Sequence, residues 1–429
     1  MSSGTQSATN SKSKLNSNLR LELAKDYKTL QICQAENHDT WGVPLSIEDY
    51  YERELKSYKD KPCNFERNYD DPSTKEGVYY WVMYNENDEI VCSCETLVCL
   101  SYHYQDIGKT GGEGDIGKCY SAIVGSVYTF KAHRGNGYAT QMMNSLVEWK
   151  LPELLNEQFD FTFLYSEVGE YYSRMGFKSY HVPTIEIPVV MNGKLKVSSD
   201  LNEIEMLGTD HTKQIEVYDE QVKKMILAKG KEVAQSGSEQ QKLPILAMKP
   251  TQEKFNWFYE RDKHTGEKLY NVDPESLKFG IALKESPGDN FIAWHLDFRA
   301  RLVMIIAIQT TSFINLQKLI RAMFTKLQSP DFCHESNSHN PESQHTEQLF
   351  DKVVIWEEEI VNFDNGDGDG NVAKNGNSEV LTWLKDEFES AEFNISNESL
   401  SALRLLHPEM NNGNLNLVHW ISNSKWCWY

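Results

Sequence analysis

Apolar positions along this chain switch between alternating and helical spacing several times, and each switch marks a predicted element. Leu19–Lys25 reads as a strand. Ser46–Tyr58 reads as a helix: Ile47, Tyr50, Tyr51, Leu55 and Tyr58 recur at helical spacing behind a Ser46 cap, with Glu48 and Asp49 in the first turn. Val78–Tyr84 and Ile90–Leu100 are apolar runs joined through Asn85-Glu86-Asn87-Asp88, which predicts a hairpin. Ser121–Phe130 is strand-like and leads into a helix reaching about Lys150, where Met142, Met143, Leu146 and Val147 share one face. Phe161–Tyr165 is a strand run, Glu170–Met175 a short helix stopped by Gly176, and Phe177–Val182 opens another strand. The order β, α, β, β, β, α, β, α, β describes a layered α/β (α+β) domain over residues 19–190.

A second lobe is predicted over residues 200–429. Gln214–Ala228 is a helix carrying Ile215, Tyr218, Val222 and Ile226, and Lys229–Lys242 is polar enough to read as a linker or exposed loop. Lys278–Lys284, Asn290–Asp297 and Val303–Gln309 are successive strands, followed by an amphipathic helix at Phe313–Leu327. Lys352–Val361 reads as a strand, Glu379–Phe388 as a helix and Leu415–Ile421 as a last strand. Residues 1–18 form a Ser-, Thr- and Asn-rich tail without an apolar signal core, which predicts disorder. Gly108–Gly117 reads as a mobile loop, and Asp331–Gln348 as polar and disordered. Asp364–Asn371 alternates acids and glycines, but from Asp367 the sixth position is Val372, so a calcium loop is not met.

The charge balance of 43 basic against 63 acidic residues gives −20 and disfavours nucleic acid, whose phosphates would be repelled. It is compatible with a cationic small substrate, although acidity commonly serves solubility. No apolar run approaches the ~20 residues that cross a bilayer, so no membrane partner is expected. The eight cysteines are irregularly spaced and follow no secretion signal, which predicts free thiols in a reducing compartment, the cytoplasm. Cys92 and Cys94 share one strand face, but Cys99 and His103 do not complete a zinc spacing, and no metal is expected.

The segment His133-Arg134-Gly135-Asn136-Gly137-Tyr138-Ala139-Thr140 sets an arginine and two glycines between a strand and a helix. Backbone N–H groups at such a helix start suit a pyrophosphate. A dinucleotide fingerprint fails for want of the third glycine, and a P-loop fails because no Gly-Lys-Ser/Thr follows. Downstream, a strand ending at Leu164-Tyr165-Ser166-Glu167 precedes Tyr171-Tyr172-Ser173-Arg174-Met175-Gly176-Phe177. An Arg-x-x-Gly-x-Gly/Ala-like loop, with Gly137 and Ala139 at the small positions, followed by this second motif resembles the GNAT family of acetyl-CoA-dependent N-acetyltransferases. Trp41, Leu45, Tyr50, Arg53 and Glu54, then Cys94-Glu95-Thr96-Leu97 and Gly125-Ser126-Val127-Tyr128-Thr129, look like a fungal branch that acetylates the side-chain amine of free lysine at the start of lysine breakdown.

The resemblance implies a GNAT acyltransferase fold, acetyl-CoA as cosubstrate and L-lysine as the amine. Val127, Tyr128 and Thr129 would pair with the pantetheine arm, and Arg134, Gly135, Asn136, Gly137, Tyr138, Ala139 and Thr140 would wrap the pyrophosphate. Tyr172 is the candidate general acid: a tyrosine near pKa ~10 is uphill by roughly 2 kcal/mol as donor to a thiolate of pKa ~8.5. The ε-amine, near pKa ~10.4, lies ~4.6 kcal/mol from its neutral form at pH 7, and Glu95 or Glu167 would accept its proton. A carboxylate clamp such as Arg53 has no position fixed by sequence. The C-terminal lobe repeats a similar element order without an Arg-x-x-Gly-x-Gly after Ile308, and reads as a degenerate GNAT-like lobe walling the substrate cleft. Trp420, Trp426, Trp428 and the Tyr429 carboxylate either reach that cleft or form a hydrophobic plug. Another small amine, a peptide amine, or a cofactor-binding regulator without turnover are the alternative readings.

Overall fold

The structure is a computed structural model. It describes residues 18–66, 75–105, 114–190, 201–236, 243–329, 332–333, 348–364, 379–408 and 417–427. Strands β1 (Arg20–Leu23), β2 (Gly77–Tyr84), β3 (Ile90–Gln105), β4 (Asp115–Thr129), β5 (Phe161–Ser166) and β6 (Lys178–Tyr180) come first. They are followed by β7 (Thr184–Pro188), β8 (Ile204–Leu207), β9 (Ile245–Met248), β10 (Gly280–Leu283), β11 (Phe291–Asp297) and β12 (Leu302–Gln309). The last are β13 (Lys352–Trp356), β14 (Glu392–Ile395), β15 (Leu400–Leu405) and β16 (His419–Trp420). Helices are α1 (Tyr27–Trp41), α2 (Ile47–Ser57), α3 (Tyr138–Ser145), α4 (Leu151–Leu154) and α5 (Thr212–Ser236). The C-terminal half adds α6 (Gln252–Tyr270), α7 (Phe313–Leu327), α8 (Glu357–Asp364) and α9 (Glu379–Glu387).

Among the described residues the strands form two mixed sheets. One runs β1-β2-β3-β4-β5-β15-β6, with β9 on β3 and β16 on β9; the other runs β14-β7-β13-β12-β11-β10-β8. The sheets exchange strands across the expected boundary near residue 190. Late β15 inserts between β5 and β6, with Leu403 opposite both Phe163 and Lys178, while early β7 pairs with β13 and β14. The two lobes are thus divided in sequence but interleaved in hydrogen bonding.

Alternation along β2 explains why both faces of the first sheet are covered. Tyr79, Trp81 and Met83 join a cluster with Met142, Met143, Leu146 and Val147, whereas Val78, Tyr80 and Val82 join the larger core that continues into the C-terminal lobe. The helical stripe read from sequence is therefore the face that α3 and its continuation lay on the sheet. A π-type segment, Leu146–Lys150, carries α3 into α4.

Several elements depart from expectation. Helix α1 was not legible: it buries only Leu30, Cys33, Gln34 and Asn37, two of them polar, so no apolar period marks it. The linker expected at Lys229–Lys242 is instead helix as far as Ser236, because the buried period of Val222 and Ile226 continues to Val233. The strand expected to reach Val361 stops at Trp356, and Glu357, Glu358 and Glu359 supply the acidic first turn of α8. The last strand shrinks to His419–Trp420. The tail before Asn18, residues 106–113 of the glycine-rich loop, nearly all of the Asp331–Gln348 stretch, and the acid–glycine run beyond Asp364 lie outside the described residues.

Candidate active site

Strands β4 and β5 run parallel and are paired only from Ser121↔Phe161 to Val124↔Leu164. No further β4–β5 pair occurs among the described residues. Beyond Val124, β4 continues to Thr129 against β3 alone. There Glu95 faces Gly125 and Ser93 faces Tyr128, so Ser126 and Val127 together oppose Cys94. This is a β-bulge, with Ser126 at φ +52°, and a bulge bends its strand and re-aims its side chains. The Ser126 hydroxyl donates to Glu95 Oε1 at 2.5 Å, and the Tyr58 hydroxyl donates to Oε2 at 3.0 Å. The result is one open edge of β4 over Ser126–Thr129, beside a buried carboxylate.

The loop after β4 begins with a 3-10 turn at Lys131–His133. Gly135 (φ +82°) and Gly137 (φ +73°) both adopt the left-handed region, and Gly137 caps α3. A Cβ at either position would meet nothing within 4 Å, so backbone conformation rather than crowding by the protein demands glycine there. The Asn136 amide donates to His133 O at 3.0 Å and closes the loop on itself. Arg134 lies 5.1 Å over the Tyr128 ring and donates Nε–H to Thr129 O at 3.3 Å. Tyr138, Ala139 and Thr140 open α3, whose first-turn N–H groups have no intrahelical acceptor. Thr140 also bonds the Tyr171 hydroxyl at 2.9 Å, which ties the helix start to the second motif. An exposed loop with two left-handed glycines, an arginine and a free helix start fits a pyrophosphate; an open strand edge fits an extended arm with amide groups.

The second motif is a 3-10 turn, Gly169–Met175, ended by Gly176 at φ +82°. Tyr172 sits edge-on to Tyr171 (5.1 Å) and Phe177 (6.1 Å), and burial pushes its phenol pKa up. The neighbouring Cys94 thiol is pushed well up for the same reason. Tyr172, Glu95, Glu167 and Val127 all line one cavity of about 570 Å³; Tyr128 and Thr129 lie on the same strand outside it, and the Arg134–Thr140 loop lies beyond them.

Of the other wall of this cavity, only Trp41, Tyr50 and Arg53 stood out in sequence, through the family resemblance. Trp41, Tyr50 and Arg53 come from α1 and α2, Phe258, Arg261, Asp262 and Thr265 from α6, His295 and Asp297 from β11, Arg299 from the turn after it, and Lys425 from the C-terminal segment. Buried Glu54 accepts Nε–H and Nη2–H of Arg53 at 2.9 and 2.8 Å, and Arg261 Nη2 at 2.8 and 3.0 Å. Burial alone would raise the Glu54 carboxyl, but the Arg261 and Arg53 charges outweigh it and hold the group at about 2. This triad joins α2 of the first lobe to α6 of the second. Burial lowers the Lys425 ammonium to about 7 despite the opposing pull of Asp297, and burial also keeps the His295 ring neutral and raises the Asp262 carboxyl. The cavity therefore presents charge of both signs. Thr251 caps α6, and Phe255, Phe258 and Tyr259 follow at helical spacing, so this helix did leave a sequence signal.

Trp420 and Trp426 do not reach the cavity. Trp420 packs on Phe163 at 5.0 Å and Tyr180 at 5.6 Å, and fully buried Trp426 packs on Tyr218 at 6.2 Å, so these two are core residues. Trp428 and Tyr429 lie outside the described residues.

Comparison with known proteins agrees with this architecture. The family model for the LYC1 GNAT-like C-terminal domain matches residues 189–429. Uncharacterized protein YGR111W of Saccharomyces cerevisiae is 26% identical over 422 residues, covering 92% of this chain and 93% of that protein. A lysine acetyltransferase of Yarrowia lipolytica is 24% identical over 363 residues, covering 75% of this chain and 80% of the relative. Among solved structures, a probable N-acyltransferase of Enterococcus faecalis V583 aligns with a TM-score of 0.50 at 10% identity, over 92% of this chain and 74% of that one.

Proposed function

This chain belongs to the LYC1 GNAT-like family and is an acyltransferase of the GNAT type, and from that premise we propose that it moves acetyl from acetyl-CoA to the side-chain amine of free L-lysine. The product would be N6-acetyl-L-lysine, and the reaction would open lysine breakdown in the cytoplasm. One observation carries the choice of substrate: the open edge of β4 faces a cavity of about 570 Å³ whose wall holds Arg53, Arg261 and Arg299 together with Glu95, Glu167 and Asp297. A small zwitterion with a second ammonium group complements that mixture of charges. The name of the Yarrowia relative points the same way.

Acetyl-CoA supplies an acetyl group activated as a thioester. The open edge of β4 at Val127, Tyr128 and Thr129 binds the extended arm as an added strand. One N–H of that edge, aimed at the thioester oxygen, is worth about 3 kcal/mol in sites of this kind. Arg134, Gly135, Asn136, Gly137, Tyr138, Ala139 and Thr140 bind the pyrophosphate through backbone N–H groups and the guanidinium. The substrate ammonium gives its proton to a carboxylate of the same cavity, Glu95 within or Glu167 at the rim. The Ser126 and Tyr58 hydroxyls hold the Glu95 carboxylate in place beside the open edge of β4. Tyr172 holds its proton for the departing sulfur. Burial raises the phenol and so makes it a weaker acid than in water, which leaves its placement beside the departing sulfur to carry the transfer. Transfer is direct, within a ternary complex.

Gly137→Val puts a β-branched residue at φ +73° on an open face. The KM for acetyl-CoA is expected to rise at least about tenfold, with the thermal midpoint lowered only by the ~1–2 kcal/mol that the left-handed conformation costs. An unchanged KM would remove the loop from cofactor binding. The function itself is tested by thiol release from acetyl-CoA across free lysine, other amino acids, polyamines and peptides. Lysine is expected to give the highest kcat/KM. Release with peptides alone would overturn the metabolic reading, and binding of acetyl-CoA without release for any amine would make the protein a regulator.

A further inference from the structure

Two guanidiniums from different lobes converge on one backbone carbonyl at the cavity mouth. Trp41 O accepts Nη1–H of Arg299 at 2.7 Å and Nη2–H of Arg53 at 3.1 Å. Two like charges are thereby held on either side of a single acceptor, with Arg261 close behind on Glu54. The three guanidiniums line the same cavity, and the Glu54 oxygens are taken up by Arg53 and Arg261. Among the described residues Arg299 forms no ion pair within 4 Å, and its remaining N–H groups are not used by protein acceptors. Asp297 in the same lining offsets part of the positive charge, and the guanidinium of Arg299 offers a planar fork matched to a carboxylate.

We propose that Arg299, with Arg53 beside it, binds the α-carboxylate of the amino-acid substrate and so makes the enzyme selective for free amino acids over simple amines. This rests on the acetyl-transfer reading above and names the contact by which that site recognises its substrate. The geometry also assigns a task to the C-terminal lobe. The bulged strand and Tyr172 belong to the first part of the chain, whereas Arg299 follows β11, so the recognition site is complete only when the lobes are joined. Glu54 acts as the positioning residue, because it orients Arg53 and Arg261 and leaves Arg299 to the ligand.

The test compares L-lysine with 1,5-diaminopentane, which is lysine without its carboxylate, in the full-length wild-type protein and in Arg299→Gln. Wild type is expected to favour lysine in kcat/KM by about 10- to 100-fold, the range of a charge-assisted bidentate contact. In Arg299→Gln the KM for lysine is expected to rise by a similar factor, with kcat, the KM for acetyl-CoA and the KM for 1,5-diaminopentane within about twofold of wild type. Arg299→Lys should recover part of the preference, which a purely structural role for the Trp41 contact would not produce. An unchanged lysine KM in Arg299→Gln overturns the proposal. So does an equal rise for lysine and 1,5-diaminopentane, or a rise confined to acetyl-CoA, which would place the guanidinium on the cofactor. If wild type acetylates no free amino acid, the underlying reading fails at the first measurement, before any variant is compared.

Discussion

Replacing Tyr172 with Phe is expected to lower kcat for acetyl transfer by roughly 10²–10⁴-fold while leaving the KM for acetyl-CoA within about twofold. The phenol is held inside the cavity by edge contacts with Tyr171 and Phe177, and phenylalanine keeps those contacts. Only the hydroxyl is removed, so stability should change little. Burial keeps the phenol protonated through the working pH range, which suits a donor and rules the tyrosine out as the base. The check is steady-state kinetics with lysine and acetyl-CoA, together with a thermal melt. An unchanged kcat would remove Tyr172 as the acid, whatever the fate of the substrate assignment.

The second large effect concerns stability. Glu54→Ala leaves Arg53 and Arg261 without their carboxylate and should destabilise the protein by about 3–5 kcal/mol, the cost of breaking a buried ion pair from one side. Replacing Arg53, Glu54 and Arg261 together by Met should cost much less, because no buried charge of the triad is then left unpaired. Urea denaturation of the two variants distinguishes these outcomes; equal losses would mean that the triad acts only through packing. The same group sets a pH dependence. The Glu54 carboxyl is depressed to about 2 in the folded protein, so its contribution is full above about pH 4.5 and is lost as pH falls through 2. That contribution is of order 3 kcal/mol. Glu54→Gln should therefore flatten the acid limb of the stability curve relative to wild type, and a parallel limb would contradict the assignment.

The local geometry of the glycine loop, the second motif and the α3 face was legible because each depends on neighbouring residues. Gly135 and Gly137 must be left-handed, Gly176 must end a turn, and the α3 stripe must face the sheet, and each requirement falls on neighbouring residues. Ser46 likewise announced α2, and its hydroxyl does accept the Asp49 N–H at 3.1 Å. Apart from Arg53, Glu95 and Glu167, the amine side was not legible because no single segment carries it. Arg53, Arg261, Arg299 and Lys425 come from separate elements that meet only after β15 and β7 have crossed between the sheets. Strand exchange leaves no periodic trace, since a strand reads the same whichever neighbour it pairs with. Helix α1, which brings Trp41 and its carbonyl to Arg53 and Arg299, was hidden by its polar composition; Gln34 and Asn37 occupy positions where a period would show apolar residues.

The account stands on the identity of the nitrogen acetylated. Incubating the protein with acetyl-CoA and L-lysine labelled with ¹⁵N at the ε position, and following the ¹⁵N–H correlation as thiol is released, reads that nitrogen directly. The account predicts an amide signal on the labelled nitrogen that grows in proportion to free thiol. Acetyl appearing on the α-amine, or no thiol release with lysine while another amine on the same protein gives it, would contradict it.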